Sequence, residues 1–187
     1  KPISPRAERA ESVGIIGAGP AGLAAADVLR RAGVQVTIYD RYDRAGGLLT
    51  YGIPGFKLEK DVVERRNGQL AEGGVTFALN TEIGVDVSFD DLRAKHDAVL
   101  IGTGVYKSRD LGGPGAGLDG IVRAIDYLTA SNRQNFGDKV PEIESGELWA
   151  AGKKVVVIGG GAGGATAARY VAKDSKGEID VTLIEPS

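Results

Sequence analysis

The 187-residue sequence contains no cysteine and a single histidine, His96. Without cysteine this chain has no disulfide, no thiolate metal site, no iron–sulfur ligand and no thiol nucleophile. One histidine cannot build a histidine metal cluster, so no metal site is expected. Neither sign of charge is in excess: 23 Lys and Arg stand against 25 Asp and Glu, a net charge of −2. The basic residues are scattered among acids, so nothing favours nucleic acid or an anionic membrane as a partner. No apolar run approaches the ~20 residues that span a bilayer. The N-terminus, Lys-Pro-Ile-Ser-Pro-Arg, lacks an apolar signal core and reads as a linker; the composition is compatible with the cytoplasm. His96, among charged neighbours, reads as a surface residue, and Trp149 beside Leu148 as a packing anchor.

Glycine is abundant instead, at 29 residues, well above the ~7% of average usage. The glycines gather at 17–22, 46–47, 102–104, 112–120 and 159–164, each following an apolar run. Backbone that turns sharply or approaches a ligand closely needs that pattern. Hydrophobic residues at 42% and charged residues at 26% describe a globular chain.

Val13 to Ile16 predicts a buried parallel strand ending in Gly17. Residues 21–32 predict a helix, with Arg30 and Arg31 in its last turn and Gly33 as its stop. Val34 to Tyr39 predicts the second strand, closed by Asp40. A helix is expected over 60–72, strands over 75–79 and 98–101, and a helix over 124–131. A second strand–glycine–helix–strand unit follows, with strands at 155–158 and 181–184 around a helix at 165–172. That order implies an α/β fold with a doubly wound, mostly parallel, Rossmann-like sheet. The expected organisation is a linker at 1–11, a dinucleotide-binding domain at 12–118, a connecting segment at 119–152 and the start of a second such domain at 153–187. The first domain reads as incomplete and the second as truncated after Ser187. The glycine run at 112–117 reads as a turn or a hinge.

Gly17-Ala18-Gly19-Pro20-Ala21-Gly22 is a G-x-G-x-x-G placed directly after a strand and opening a helix. Gly17 allows the tight turn, Gly19 the approach of a pyrophosphate, and Gly22 close packing of helix on strand. The pyrophosphate would rest on free N–H groups at the positive end of the helix dipole. Pro20 sits where a missing N–H costs little. Asp40 is placed to accept hydrogen bonds from the adenosine ribose hydroxyls. NAD and FAD sites share this fingerprint. Gly46-Gly47, six residues past the acid, favours FAD, because paired glycines let a second loop lie against the same diphosphate. Arg44 could add positive charge there. The second motif carries Gly159, Gly161 and Gly164, with Glu185 closing its strand; Glu185 would bond a ribose 2′-hydroxyl and repel a 2′-phosphate.

The strings Gly46-Gly-Leu-Leu-Thr-Tyr-Gly-Ile-Pro-Gly-Phe-Lys-Leu-Glu-Lys60, Asp97 to Tyr106 and Ala124 to Arg133 resemble the small (beta) subunit of bacterial glutamate synthase over residues 3 to about 150. The resemblance implies an FAD-dependent oxidoreductase module that takes hydride from NAD(P)H and passes electrons through iron–sulfur clusters to a large (alpha) subunit. With no cysteine here, such clusters would be carried on other sequence. It implies FAD contacts from Gly19, Pro20, Ala21, Gly22 and Leu23, and from Asp40, Arg41, Arg44, Gly46, Gly47 and Leu48. Lys57 and the backbone around Ile83 would flank the adenine or ribitol side, and Gly102, Thr103 and Gly104 would approach the diphosphate. The flavin carries the chemistry, so no catalytic side chain is nominated. Residues about 153–186 instead resemble the flavoprotein of flavocytochrome c sulfide dehydrogenase. Two other readings therefore stand beside the first: a dinucleotide-binding fragment or chimera without turnover, and a sulfide-dehydrogenase-like flavoprotein.

Overall fold

Ser12–Ile16 forms β1, and its neighbours in space come from well-separated parts of the chain. The computed structural model describes residues 3–5, 7–105, 114, 116–159, 168–169, 171 and 180–184. The chain divides into two compact units: Lys1–Thr50 with Leu58–Tyr106, and Tyr51–Lys57 with Lys107–Ser187.

In the first unit, helix α1 (Pro20–Arg31) leads to β2 (Gln35–Tyr39), and the short α2 (Leu48–Tyr51) follows at the unit's edge. Then come α3 (Lys60–Glu72), β3 (Val75–Ala78), α4 (Phe89–Lys95) and β4 (Ala98–Ile101). The strands form one parallel sheet in the order β3-β2-β1-β4, with Ile15 opposite Ile38 and Leu100. This is the Rossmann-like architecture expected from the alternation of apolar strands and helices. Ile15, Ile38, Ala26, Leu23 and Leu70 fill the core between the sheet and its helices, each at most 5% exposed. Helix α4 was not foreseen. Its Ser88 cap accepts from the Asp91 N–H at 3.0 Å, and Leu92 is its one buried residue. A seven-residue helix with a single apolar contact leaves no periodicity to read.

The expected N-terminal linker is packed where it is described. Ile3 is 1% exposed and belongs to the core cluster. The Arg9 N–H donates to Gly33 O and the Gln35 N–H to Glu11 O, each at 2.9 Å. Arg30, 5% exposed, fixes this arm from inside. Its Nε donates to Gly73 O at 2.6 Å, and both terminal nitrogens engage the Glu8 carboxylate. Arg30→Met keeps the helix but removes the donors to a buried carbonyl and to Glu8. A loss of roughly 1–3 kcal/mol is expected, read as an earlier midpoint in urea unfolding.

His96 is not the surface residue its charged neighbours suggested. Its Nε2 lies 2.9 Å from Tyr39 Oη, the two rings meet edge to face at 5.8 Å, and its Nδ1 is buried with no partner among the described residues. The ring fills the space above Gly14, where a Cβ would stand 2.7 Å from His96 Cδ2. Burial, and then the charge of Lys95, hold its pKa below the usual histidine value. The folded chain therefore resists a proton that the unfolded chain accepts near pH 6.5. Stability is expected to fall as pH drops below that value, and His96→Gln to flatten this part of the pH profile.

The second unit contains α5 (Ala124–Asn135), α6 (Pro141–Glu144) and a parallel pair, β5 (Val155–Ile158) and β6 (Val181–Ile184). Helix α5 runs four residues past its expected end. Asn132, 1% exposed, holds the segment from Tyr51 by donating to Tyr51 O at 2.8 Å. Trp149 is 47% exposed, so it is not the packing anchor it was expected to be. Most of the expected helix at 165–172 and of the 112–117 run lies outside the described residues.

Candidate functional site: a dinucleotide cradle at the ends of β1 and β2

The carboxyl ends of β1, β2 and β4 converge on one glycine loop, where an open parallel sheet places its ligands. The Gly17 N–H donates to Tyr39 O at 2.7 Å, and the Gly102 N–H donates to Ile16 O at 2.8 Å. Gly17 has φ +109°, and a Cβ there would sit 2.5 Å from Gly102 O. A Cβ on Gly22 would sit 1.9 Å from Gly17 O, so only glycine lets α1 start this close to the strand end. Gly19 differs: a Cβ built on it meets nothing within 4 Å. Its outer side is open, as expected of a position over which a ligand passes.

Helix α1 begins with Gly19 as N-cap and Pro20 at its first position, with no side chain capping it. The first intrahelical bond is Leu23 N–H to Gly19 O at 3.0 Å. The N–H groups of Ala21 and Gly22 precede that bond and sit at the positive end of the helix dipole. Leu23 itself is buried in the core and its N–H is committed to Gly19 O, so it supports the turn instead of offering a group to a ligand.

The paired glycines lie against this loop, as an FAD-type site requires. The Gly46 N–H donates to Ala18 O at 2.8 Å, and a Cβ on Gly47 would stand 2.9 Å from Gly19 Cα. Arg44 is oriented by Asp43, with Nη1 to Oδ2 at 2.7 Å. Leu48, 45% exposed, begins α2.

Asp40 is 8% exposed. Its Oδ2 accepts from the Ala18 N–H at 2.6 Å and its Oδ1 from the Tyr42 N–H at 2.9 Å. The carboxylate thus braces the glycine loop as well as facing the cleft, a role its sequence position did not reveal. Each carboxylate oxygen has a second lone pair available for a ribose hydroxyl.

A cleft of ≈ 290 Å³ opens beside it, lined by Ile16, Gly17, Tyr39 to Tyr42, Thr81, Glu82, Ile83, Thr103 and Gly104. Thr81 and Glu82 went unnoticed in the sequence. They arrive because Asn80 adopts φ +53°, and the chain then pairs back, Asn80 N–H to Tyr42 O at 3.0 Å and Thr81 N–H to Asp40 O at 2.9 Å. Asparagine tolerates this left-handed conformation better than most residues. A larger hollow of ≈ 540 Å³ at the far end of α1 carries Arg9 and Arg31, each ion-paired with a near neighbour, and offers no comparable cradle.

The first motif's expected residues all lie in the first unit, and Lys57 lies in the second. In the second motif Gly159 repeats the first turn: φ is +109°, and its N–H donates to Ile184 O at 2.7 Å. Gly161, Gly164 and Glu185 lie outside the described residues. No group of three or more metal-ligating side chains occurs among the described residues, and no described helix is long and apolar enough to cross a membrane.

A family model for the pyridine nucleotide-disulphide oxidoreductases matches residues 11–186, running through both glycine motifs and across residue 150. A putative glutamate synthase [NADPH] small chain of Cereibacter sphaeroides is 69% identical over 89% of this chain and 39% of its own length. The glutamate synthase [NADPH] small chain of Azospirillum brasilense is 62% identical over 89% of this chain and 34% of its own length. The chain thus spans well under half of these relatives. Among solved structures, Mycobacterium tuberculosis FprA in complex with NADPH superposes with a TM-score of 0.77 at 23% identity, covering 94% of this chain and 43% of that one. At that identity the likeness supports the fold alone. Fold, cradle and sequence together make this chain a member of the pyridine nucleotide-disulphide oxidoreductase family.

Proposed function

We propose that this chain holds the ADP half of FAD in the first cradle and serves electron transfer from NADPH toward a glutamate synthase large subunit. The observation that carries the reading is the docking of Gly46-Gly47 on the Ala18-Gly19 loop. That contact builds a two-loop diphosphate seat, which a single-loop nicotinamide site does not need. Ala21 and Gly22 offer N–H groups to the diphosphate, Asp40 accepts from the ribose, and Thr81 to Ile83 wall the adenine end. When bound, the flavin supplies the redox chemistry; the protein supplies position and electrostatics. The relatives' names support NADPH as the reductant and a large subunit as the partner. Iron–sulfur clusters between the two would take their ligands from sequence other than this cysteine-free chain. A cysteine-free composition is compatible with work in the cytoplasm.

Purified chain incubated with FAD and desalted tests the reading directly. Flavin absorbance approaching one FAD per chain is expected; a colourless chain that takes up none overturns it. The electron-transfer step is tested in the full-length small chain, where anaerobic NADPH should bleach the flavin. Persistent colour there would leave a binding module without turnover.

A further inference from the structure

An enzyme that uses both FAD and NADPH faces a selectivity problem at its flavin site. Both molecules carry ADP, and at the adenosine end they differ by one group, the 2′-phosphate of NADPH. A positively charged residue beside the ribose-binding acid is the means by which such folds accept that phosphate. This cleft contains one, because Arg41 directly follows Asp40 and both line it.

Arg41 is not presented to the ribose as an isolated charge. Its guanidinium lies 5.1 Å from the centroid of the Tyr42 ring, and Nη2 donates to Tyr42 Oη at 3.3 Å. Nη1 stands 3.7 Å from Glu82 Oε1. Glu82 comes from the segment that follows Asn80 and pairs with residues 40–42, and it lines the same cleft. Its placement does not depend on the ion pair. The Glu82 backbone N–H is held by Asp86 Oδ2 at 2.7 Å, and the Gly84 N–H by Val87 O at 2.7 Å. As an exposed pair, Arg41 and Glu82 add little to stability. Their arrangement matters for charge: with Glu82 present the cleft carries two carboxylates to one guanidinium.

We infer that Glu82 is a specificity-determining residue of the flavin site: by pairing with Arg41 and compensating its charge, it keeps a 2′-phosphorylated dinucleotide out. Asp40 repels the phosphate directly, and Glu82 neutralises the Arg41 charge that would attract it. The inference rests on the first cradle being the FAD site.

The test is competition for FAD uptake, followed by the quenching of flavin fluorescence, with NAD⁺ and NADP⁺ as competitors. They differ only in the 2′-phosphate. NAD⁺ should compete more strongly than NADP⁺ in the wild-type chain. In Glu82→Gln the ratio should narrow by about tenfold, the scale of one neighbouring charge acting on a phosphate at a partly exposed site. In the double variant Arg41→Ala/Glu82→Gln the wild-type preference should return, since the attracting cation is gone. An unchanged ratio in Glu82→Gln overturns the inference, and so does narrowing that persists in the double variant. A wild-type chain at which neither nucleotide competes also overturns it, because there is then no intruder to exclude. Failure of the wild-type chain to take up FAD overturns the flavin-site reading itself and is distinguishable from all of these.

Discussion

Gly19→Ala is expected to leave the unfolding midpoint unchanged while reducing FAD affinity at least about tenfold, whereas Gly22→Ala is expected to damage the fold itself. Gly19 has φ −78° and ψ −177°, extended backbone that any residue adopts, and its Cβ would project into open space. Nothing in the folded chain resists that methyl group. It would stand where the pyrophosphate must approach the loop, which is the reason the second glycine of the fingerprint exists. Gly22 is the opposite case. Its Cβ would sit 1.9 Å from Gly17 O, so helix and strand must separate or the loop must shift. Overpacking of this kind costs roughly 1–3 kcal/mol, and the cofactor seat distorts with it. Thermal unfolding without cofactor, paired with FAD titration, separates the two variants. Gly19→Ala with wild-type FAD affinity would falsify the placement of the diphosphate over this loop.

The same comparison explains what the sequence could convey. Gly17, Gly22, Gly46 and Gly47 were legible because each is a backbone requirement written at one position. The strands and α1 were legible because apolar runs and caps are local. What was missed depends on partners far apart in the chain. Ile3 looks like a lone apolar residue between two prolines, yet it completes a core whose other members lie up to Val75. His96 sits among charges, but its ring is taken up by Tyr39, 57 residues earlier, and by the gap that Gly14 leaves. Glu82 and Thr81 reach the cleft only through the left-handed turn at Asn80, and an asparagine before a threonine does not announce such a turn. Helix α4 is the intermediate case. Ser88 and the Asp91 three residues on are a capping signal, but one buried leucine was too little to show a face.

Asp40 is where the local and the distant meet, and its variants should show the largest combined effect. Asp40→Ala removes acceptors from the buried Ala18 N–H and from the Tyr42 N–H together. Each unsatisfied donor costs about 1–3 kcal/mol, so the cofactor-free chain should unfold at clearly lower denaturant. FAD affinity should fall by roughly a hundredfold, since a charge-assisted bond to the ribose is lost and the glycine loop it braces is released. Asp40→Asn keeps the shape but turns one acceptor into a donor. That donor must face either an N–H group of the loop or the ribose hydroxyls. A stability loss near half that of Asp40→Ala is therefore expected, with a loss of FAD affinity approaching it. The two measurements, taken on both variants, separate the brace from the ligand. If Asp40→Asn loses stability yet binds FAD like the wild type, Asp40 acts on the loop alone, and the ribose must find its acceptor elsewhere in the cleft.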